Sequence, residues 1–128
     1  MQSLFNDTST IAALATPTGV GAVSLIRISG PAALAVANLA TAGQASLMSP
    51  RTAHRCRIRD ANGNVLDDGL MLVFRAPHSF TGEDCVEFSG HGGMLVTREV
   101  LARLTVLRDA WGEMLQTCNA PPSIAGVC

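Results

Sequence analysis

The sequence contains no lysine, so all nine of its basic side chains are arginine. That absence excludes every mechanism needing an ε-amino group, including Schiff-base chemistry and the phosphate-binding lysine of a P-loop, so no P-loop nucleotide site is expected. The four cysteines, Cys56, Cys85, Cys118 and Cys128, show no C-x-x-C spacing. Neither a zinc knuckle nor a thioredoxin-like motif is supported, no metal site is expected, and free, partly buried thiols in a reducing compartment are the reading. Long apolar runs are also missing. Nothing reaches the about 18 apolar residues of a membrane span, and the first six residues lack the basic region of a secretory leader. A cytoplasmic chain with no membrane contact is the expectation.

Excess charge of one sign is absent as well. Ten acidic against nine basic residues leave a formal net charge of −1 and a pI near 6.2, whereas a domain that grips phosphates is usually markedly basic. Direct nucleic-acid binding by this chain alone is not expected. The string His91-Gly92-Gly93 has a lipase-like look, but no G-x-S-x-G nucleophile elbow accompanies it, which excludes a serine hydrolase. The segment Gly19-Val20-Gly21-Ala22-Val23-Ser24 lacks the third glycine of a dinucleotide loop and precedes its strand, so it reads as a tight turn.

What is present suits one domain: 128 residues with 48% hydrophobic side chains can build a single core. A short strand over residues 10–15 and a Thr-Pro-Thr-Gly turn lead to a β-branched strand over 20–28. Pro31 fits the first position of a helix ending near Gly43, with Ala33, Val36, Leu39 and Ala40 at helical spacing. Residues 53–60 alternate, His54, Cys56 and Ile58 on one face and Arg55, Arg57 and Arg59 on the other, as in a half-exposed strand. Asn62-Gly63 signals a type I′ hairpin. Its return strand, about 70–74, is apolar on both faces and so central in the sheet. A loop over 77–84 feeds a short strand at 85–89, and a last helix spans about 94–107 with Glu99 and Arg103 at i,i+4. Beyond it the Pro121-Pro122 pair blocks helix. The fold class is α+β, a two-layer sandwich with helices on one face of a mostly antiparallel sheet.

The chemistry concentrates around residues 79–93. Glu87, on the short strand, could accept two parallel hydrogen bonds from an amino-pyrimidinone edge, as in recognition of a pterin or guanine-like ring, or could face water. Arg27 stands within Leu25-Ile26-Arg27-Ile28, where an unpaired guanidinium is costly, so it needs a partner: Glu83, Asp84, a chain carbonyl or a ligand. Gly90, His91, Gly92 and Gly93 precede a helix; their backbone allows close approach and the helix start favours an anion, while His91 alone is more often a hydrogen-bonder than a catalyst. Glu83 and Asp84 point apart and read as loop-ordering residues rather than a catalytic pair. No catalytic residue is assigned.

Two strings now bear on family. Ala15-Thr16-Pro17-Thr18-Gly19-Val20-Gly21 running on to Arg27-Ile28-Ser29-Gly30, and Ser79-Phe80-Thr81-Gly82-Glu83-Asp84 running on to Glu87 and His91-Gly92-Gly93, resemble the signatures of the N-terminal, folate-binding domain of the MnmE/TrmE family of tRNA-modification GTPases. The resemblance covers about residues 10–104. It implies a tetrahydrofolate-binding fold shared with aminomethyltransferases, with Arg27 and Glu87 as folate-site residues and Gly90, His91 and Gly92 as further ones. It also implies 5-formyltetrahydrofolate or another tetrahydrofolate as cofactor, a homodimer built through this domain, and the flavoprotein MnmG as partner in modifying the tRNA wobble uridine at carbon 5, with tRNA met only indirectly. On this reading 1–104 is an incomplete folate domain and 105–128 an unmatched tail from truncation or a frameshift. The family's later lysine segment and G domain have no counterpart here, so no site for GTP, potassium or magnesium is expected, and an exposed sheet edge that promotes dimerisation or aggregation is expected. The alternatives are a stand-alone aminomethyltransferase-like one-carbon enzyme and a non-functional dimerisation remnant.

Overall fold

The computed structural model describes residues 10–16 and 23–118, the last seven by backbone alone. The expected Thr-Pro-Thr-Gly turn, most of the glycine segment after it, and Pro121, Pro122 and Cys128 lie outside the described residues. Among the described residues five strands and two helices follow one another: β1 (Ile11–Leu14), β2 (Val23–Ser29), α1 (Ala33–Ala40), a 3-10 turn (Ala45–Leu47), β3 (His54–Arg59), β4 (Val65–Phe74), β5 (Cys85–His91) and α2 (Met94–Cys118). The strands form one sheet in the order β1-β2-β5-β4-β3, with every pairing antiparallel. The α+β class with a five-stranded antiparallel sheet therefore holds.

Alternation decides the two faces. Ile26, Ile28, Cys56, Ile58, Met71, Val73, Val86 and Phe88 turn inward and pack with α1 and with Val100, Leu104, Leu107 and Trp111 of α2 in one core. α1 is buried nearly all round, Leu39 apart, because it packs on α2 as well as on the sheet. Pro31 sits in the turn before α1 rather than inside it, and the N–H of Ala32 is satisfied by the Thr10 hydroxyl at 2.8 Å. That bond ties the helix start to the edge strand.

Three local expectations change. The hairpin at Asn62-Gly63 is present, but only Gly63, at φ +86°, is left-handed; Asn62 is not. The Asp60 carboxylate takes the N–H groups of Asn62 and Asn64, each at 2.9 Å, and Gly63 N–H bonds the Asp60 carbonyl. The register slips between Ile58 and Arg59. An Asx-stabilised turn with a bulge thus replaces the type I′ turn. The return strand β4 starts at Val65, not near Leu70, because Asp67 and Asp68 find partners across the sheet. It is central, between β5 and β3, yet Leu70 is 48% exposed, so one of its faces is open.

The final helix runs to Cys118, eleven residues past the expected end near Leu107, and Trp111, only 4% exposed, belongs to the core. At least to Trp111 the segment after residue 104 is part of the fold, not an appended irregular tail. Trp111 packs where the apolar period of the sequence has already faded. Trp111→Ala should cost about 3–5 kcal/mol, as for other large aromatic truncations. Urea denaturation checks this, and a loss under about 1 kcal/mol would show that Trp111 does not pack in the core.

Gly69 and Gly90 carry the closest packing. A Cβ on Gly69 would lie 2.2 Å from the Ser89 carbonyl oxygen and 2.9 Å from the Phe88 ring. A Cβ on Gly90 would meet Asp67 at 2.1 Å and Phe88 at 2.7 Å. The Phe88 ring therefore lies against both glycines, and backbone cannot give way at Gly69. Gly69→Ala is expected to destabilise by about 1–3 kcal/mol or more through overpacking. A thermal melt checks it; an unchanged midpoint would contradict the close approach.

Candidate functional site

The register of β2 on β5 puts Arg27 directly opposite Glu87 on the sheet face that the helices leave open. Arg27 Nε and Nη2 both bond Glu87 Oε2, at 2.9 and 2.6 Å. The two side chains are 33% and 12% exposed, so each depends on the other for compensation of its charge. The partner of Arg27 is thus Glu87 itself, not Glu83, Asp84 or a chain carbonyl. Sequence reasoning selected both residues but not their pairing, which rests on strand register alone.

Both guanidinium contacts fall on one oxygen, and no described residue bonds Glu87 Oε1 or Arg27 Nη1. The pair therefore leaves one carboxylate oxygen able to accept and one guanidinium nitrogen able to donate, neither bonded by a described residue. Phe80 lies over the guanidinium, 5.3 Å from ring centroid to Cζ, and meets Phe74 edge to face at 6.3 Å. It is 78% exposed, an aromatic surface beside the ion pair.

The loop from Arg75 to Asp84 that carries Phe80 is held by its own polar groups. Asp84 Oδ1 takes the Ala76 N–H at 2.9 Å, Ser79 Oγ donates to the Glu83 carbonyl, and Thr81 Oγ1 shares a hydrogen bond with Ser29 Oγ at 2.7 Å. Asp84 orders the loop through its side chain; Glu83 does so through its main chain. A cleft of about 320 Å³ lined by Arg51, Phe74, His78, Ser79 and Phe80 adjoins the pair through Phe80. A larger cleft, about 390 Å³, lies at the far edge of the sheet against β3, bounded by Arg55, Arg57, Arg59 and Asp68. It touches none of the site residues above. Asp68 there binds Arg55 and Arg57, and the hydrogen bond from Arg55 holds its carboxyl below the usual range.

Gly90 and His91 belong to β5, paired with Ser24 and Val23, so only Gly92 and Gly93 remain between strand and helix. The space beside Gly90 is filled by Asp67, whereas a Cβ on Gly93 would meet nothing within 4 Å. His91 N–H and Nδ1 both reach the Asp67 carboxylate. Asp67 was not singled out in the sequence; a buried carboxylate inside a strand was the only signal, and it shows once the strand is known to begin at Val65. Among the described residues no group of His, Cys, Asp and Glu could hold a metal ion, and no helix is long and apolar enough to cross a membrane.

These features come with a clear family. The family described as "GTP-binding protein TrmE N-terminus" matches residues 10–114, ten residues past the limit suggested by the motifs. The chain is 58% identical over 97 residues to the tRNA modification GTPase MnmE of Psychrobacter sp. (strain PRwf-1), covering 76% of this chain and 20% of that protein. It is 54% identical over 99 residues to the MnmE of Alkalilimnicola ehrlichii, covering 77% and 22%, and 50% identical over 98 residues to that of Xanthomonas oryzae pv. oryzae, covering 77% and 21%. The chain belongs to the TrmE N-terminal family. It spans about a fifth of the length of the curated relatives it matches.

Two cysteines of the sheet are shielded by burial. Cys56 and Cys85 are free and buried. Burial, with Asp68 and Asp67 adding to it, pushes the Cys56 thiol up to about 12. Cys85 also moves up, burial outweighing the opposing pull of Arg27. Both should resist iodoacetamide in the folded protein and react only in urea, read by peptide mass mapping. Because burial raises both thiols above the unfolded value of about 8.5, their contribution to stability is present below that pH and is lost as pH rises through the folded values, for Cys56 toward about 12. Rapid labelling of Cys56 in the native state would contradict the burial.

Proposed function

We propose that this chain is the tetrahydrofolate-binding, dimer-forming part of a tRNA-modification GTPase, acting with an MnmG-type flavoprotein on the wobble uridine. The observation that carries the reading is the Arg27–Glu87 pair, whose Oε1, bonded by no described residue, can accept from the N–H groups of a pterin's amino-pyrimidinone edge. Phe80 beside it supplies an aromatic surface for the ring. Gly90, His91 and Gly92, at the end of the strand that carries Glu87, are the further residues for the rest of the ligand.

Dimerisation is supported by the same open sheet face. Ile11, Val23, Leu70 and Phe80 are 56%, 60%, 48% and 78% exposed there, apolar surface of the kind that seeks a partner. The chain contributes neither GTP binding nor hydrolysis, since it has no lysine to meet the phosphates.

Calorimetry with 5-formyltetrahydrofolate tests the reading. Glu87→Ala is expected to weaken binding on the order of 10- to 100-fold, the worth of one charge-assisted contact. Arg27→Ala should weaken it less and also lower stability, because Glu87 loses its counter-charge. Glu83→Ala should cost well under about 1 kcal/mol, its side chain being exposed. Equal affinity in the parent and Glu87→Ala would show that the ligand sits elsewhere.

A further inference from the structure

Among the described residues β3 is an edge of the sheet, paired only with β4. Along such an edge antiparallel alternation turns both main-chain groups of every second residue outward. Arg57 and Arg59 show which residues these are: the Arg57 N–H meets Gln44 Oε1 at 3.3 Å, and the Arg59 carbonyl takes Arg103 Nε at 3.0 Å. Arg55, two residues before Arg57, has the same orientation. No described residue bonds its N–H or its carbonyl, nor the carbonyl of Arg57. Gln44 is exposed and holds Arg57 only at the long end of the hydrogen-bond range, in the place of an incoming strand's carbonyl.

The side chains of the same edge are basic. Residues 51–59 contain four arginines and no acid, a local excess that the near-neutral charge of the whole chain conceals. Arg55 and Arg57, 75% and 51% exposed, share the single carboxylate of Asp68, while Arg59 meets the Gly63 carbonyl. The cleft of about 390 Å³ opens on this edge, with Thr41, Ala42 and Gln44 as its other wall. These charges decide which strand can join. A second copy of β3 brings arginine against arginine, and like charges directly opposite are destabilising. A strand with carboxylates at alternate positions sets them against Arg55 and Arg57 at the spacing of about 7 Å that both strands share. A nucleic-acid backbone would meet the guanidinium groups but leave the outward main-chain groups unpaired.

We propose that the β3 edge is a docking site for an extended acidic segment of a partner protein. The segment adds to the sheet beside β3, displaces Gln44 and places alternate carboxylates against Arg55 and Arg57. The site shares no residue with the tetrahydrofolate reading and stands without it.

A capped peptide of alternating threonine and glutamate, titrated into the whole chain by calorimetry, is the probe. It should bind about 10-fold more tightly than an isomer whose glutamates are contiguous, and methylating its backbone nitrogens, which keeps every charge, should abolish binding. Bound peptide should slow amide exchange at Arg55, read by NMR. Arg55→Gln combined with Arg57→Gln should weaken the peptide by about 5- to 10-fold, the worth of two exposed ion pairs. Equal binding of the two isomers, retained binding after methylation, or unchanged exchange at Arg55 in the saturated complex overturns strand addition. No binding of the alternating peptide overturns the site. An oligouridylate that binds more tightly than the peptide, and is weakened by the same double substitution, assigns the arginines to phosphate and overturns the proposal. The peptide comparisons use the parent chain alone, so they decide the question even if the variant folds poorly.

Discussion

The antiparallel pairing of β2 with β5 is the constraint on which the rest of the structure depends. Its register sets Ile26 against Phe88 and Ile28 against Val86 on one side of the sheet, and Arg27 against Glu87 on the other. One side of the pairing is the heart of the core; the other holds two opposite charges that neither strand could bury alone. β5 is consequently buried on both faces along most of its length, an uncommon situation for a strand in a two-layer antiparallel domain. Helices cover one face, while Arg27, Phe80 and the loop from Arg75 to Asp84 screen the other.

Core packing and the open face are joined through Phe88. Its ring occupies the room that side chains at Gly69 and Gly90 would take, and the bare Cα of Gly90 lets the Asp67 carboxylate come close enough to hold His91. The two glycines therefore matter for what approaches them and not for unusual backbone angles. The consequence reaches from the interior to the last residue of the strand: an aromatic ring in the core, a glycine beside it and a buried acid together decide where an exposed imidazole points.

Much of the framework was legible. Alternation in residues 53–60 identified the buried and exposed sides of β3, and the β-branched run before Ser29 identified β2. Boundaries failed where polar residues were stabilised from a distance. Asp67 and Asp68 do not read as strand because their partners, His91 and two arginines, are remote in sequence or on the neighbouring strand. The end of α2 was missed because Trp111 anchors it without a sustained apolar period.

Composition and local pattern alone determined the class of the domain, its lack of a phosphate-binding lysine, and the short list of side chains capable of holding a ligand. Motif order alone pointed to the family. Only the tertiary structure decided that Arg27 and Glu87 are each other's partner, that no described residue bonds Oε1, and that His91 is backed by Asp67. The physical reason is that pairing depends on register: a shift of one residue between β2 and β5 would send these side chains to the opposite face, and no local property of either segment sets that register.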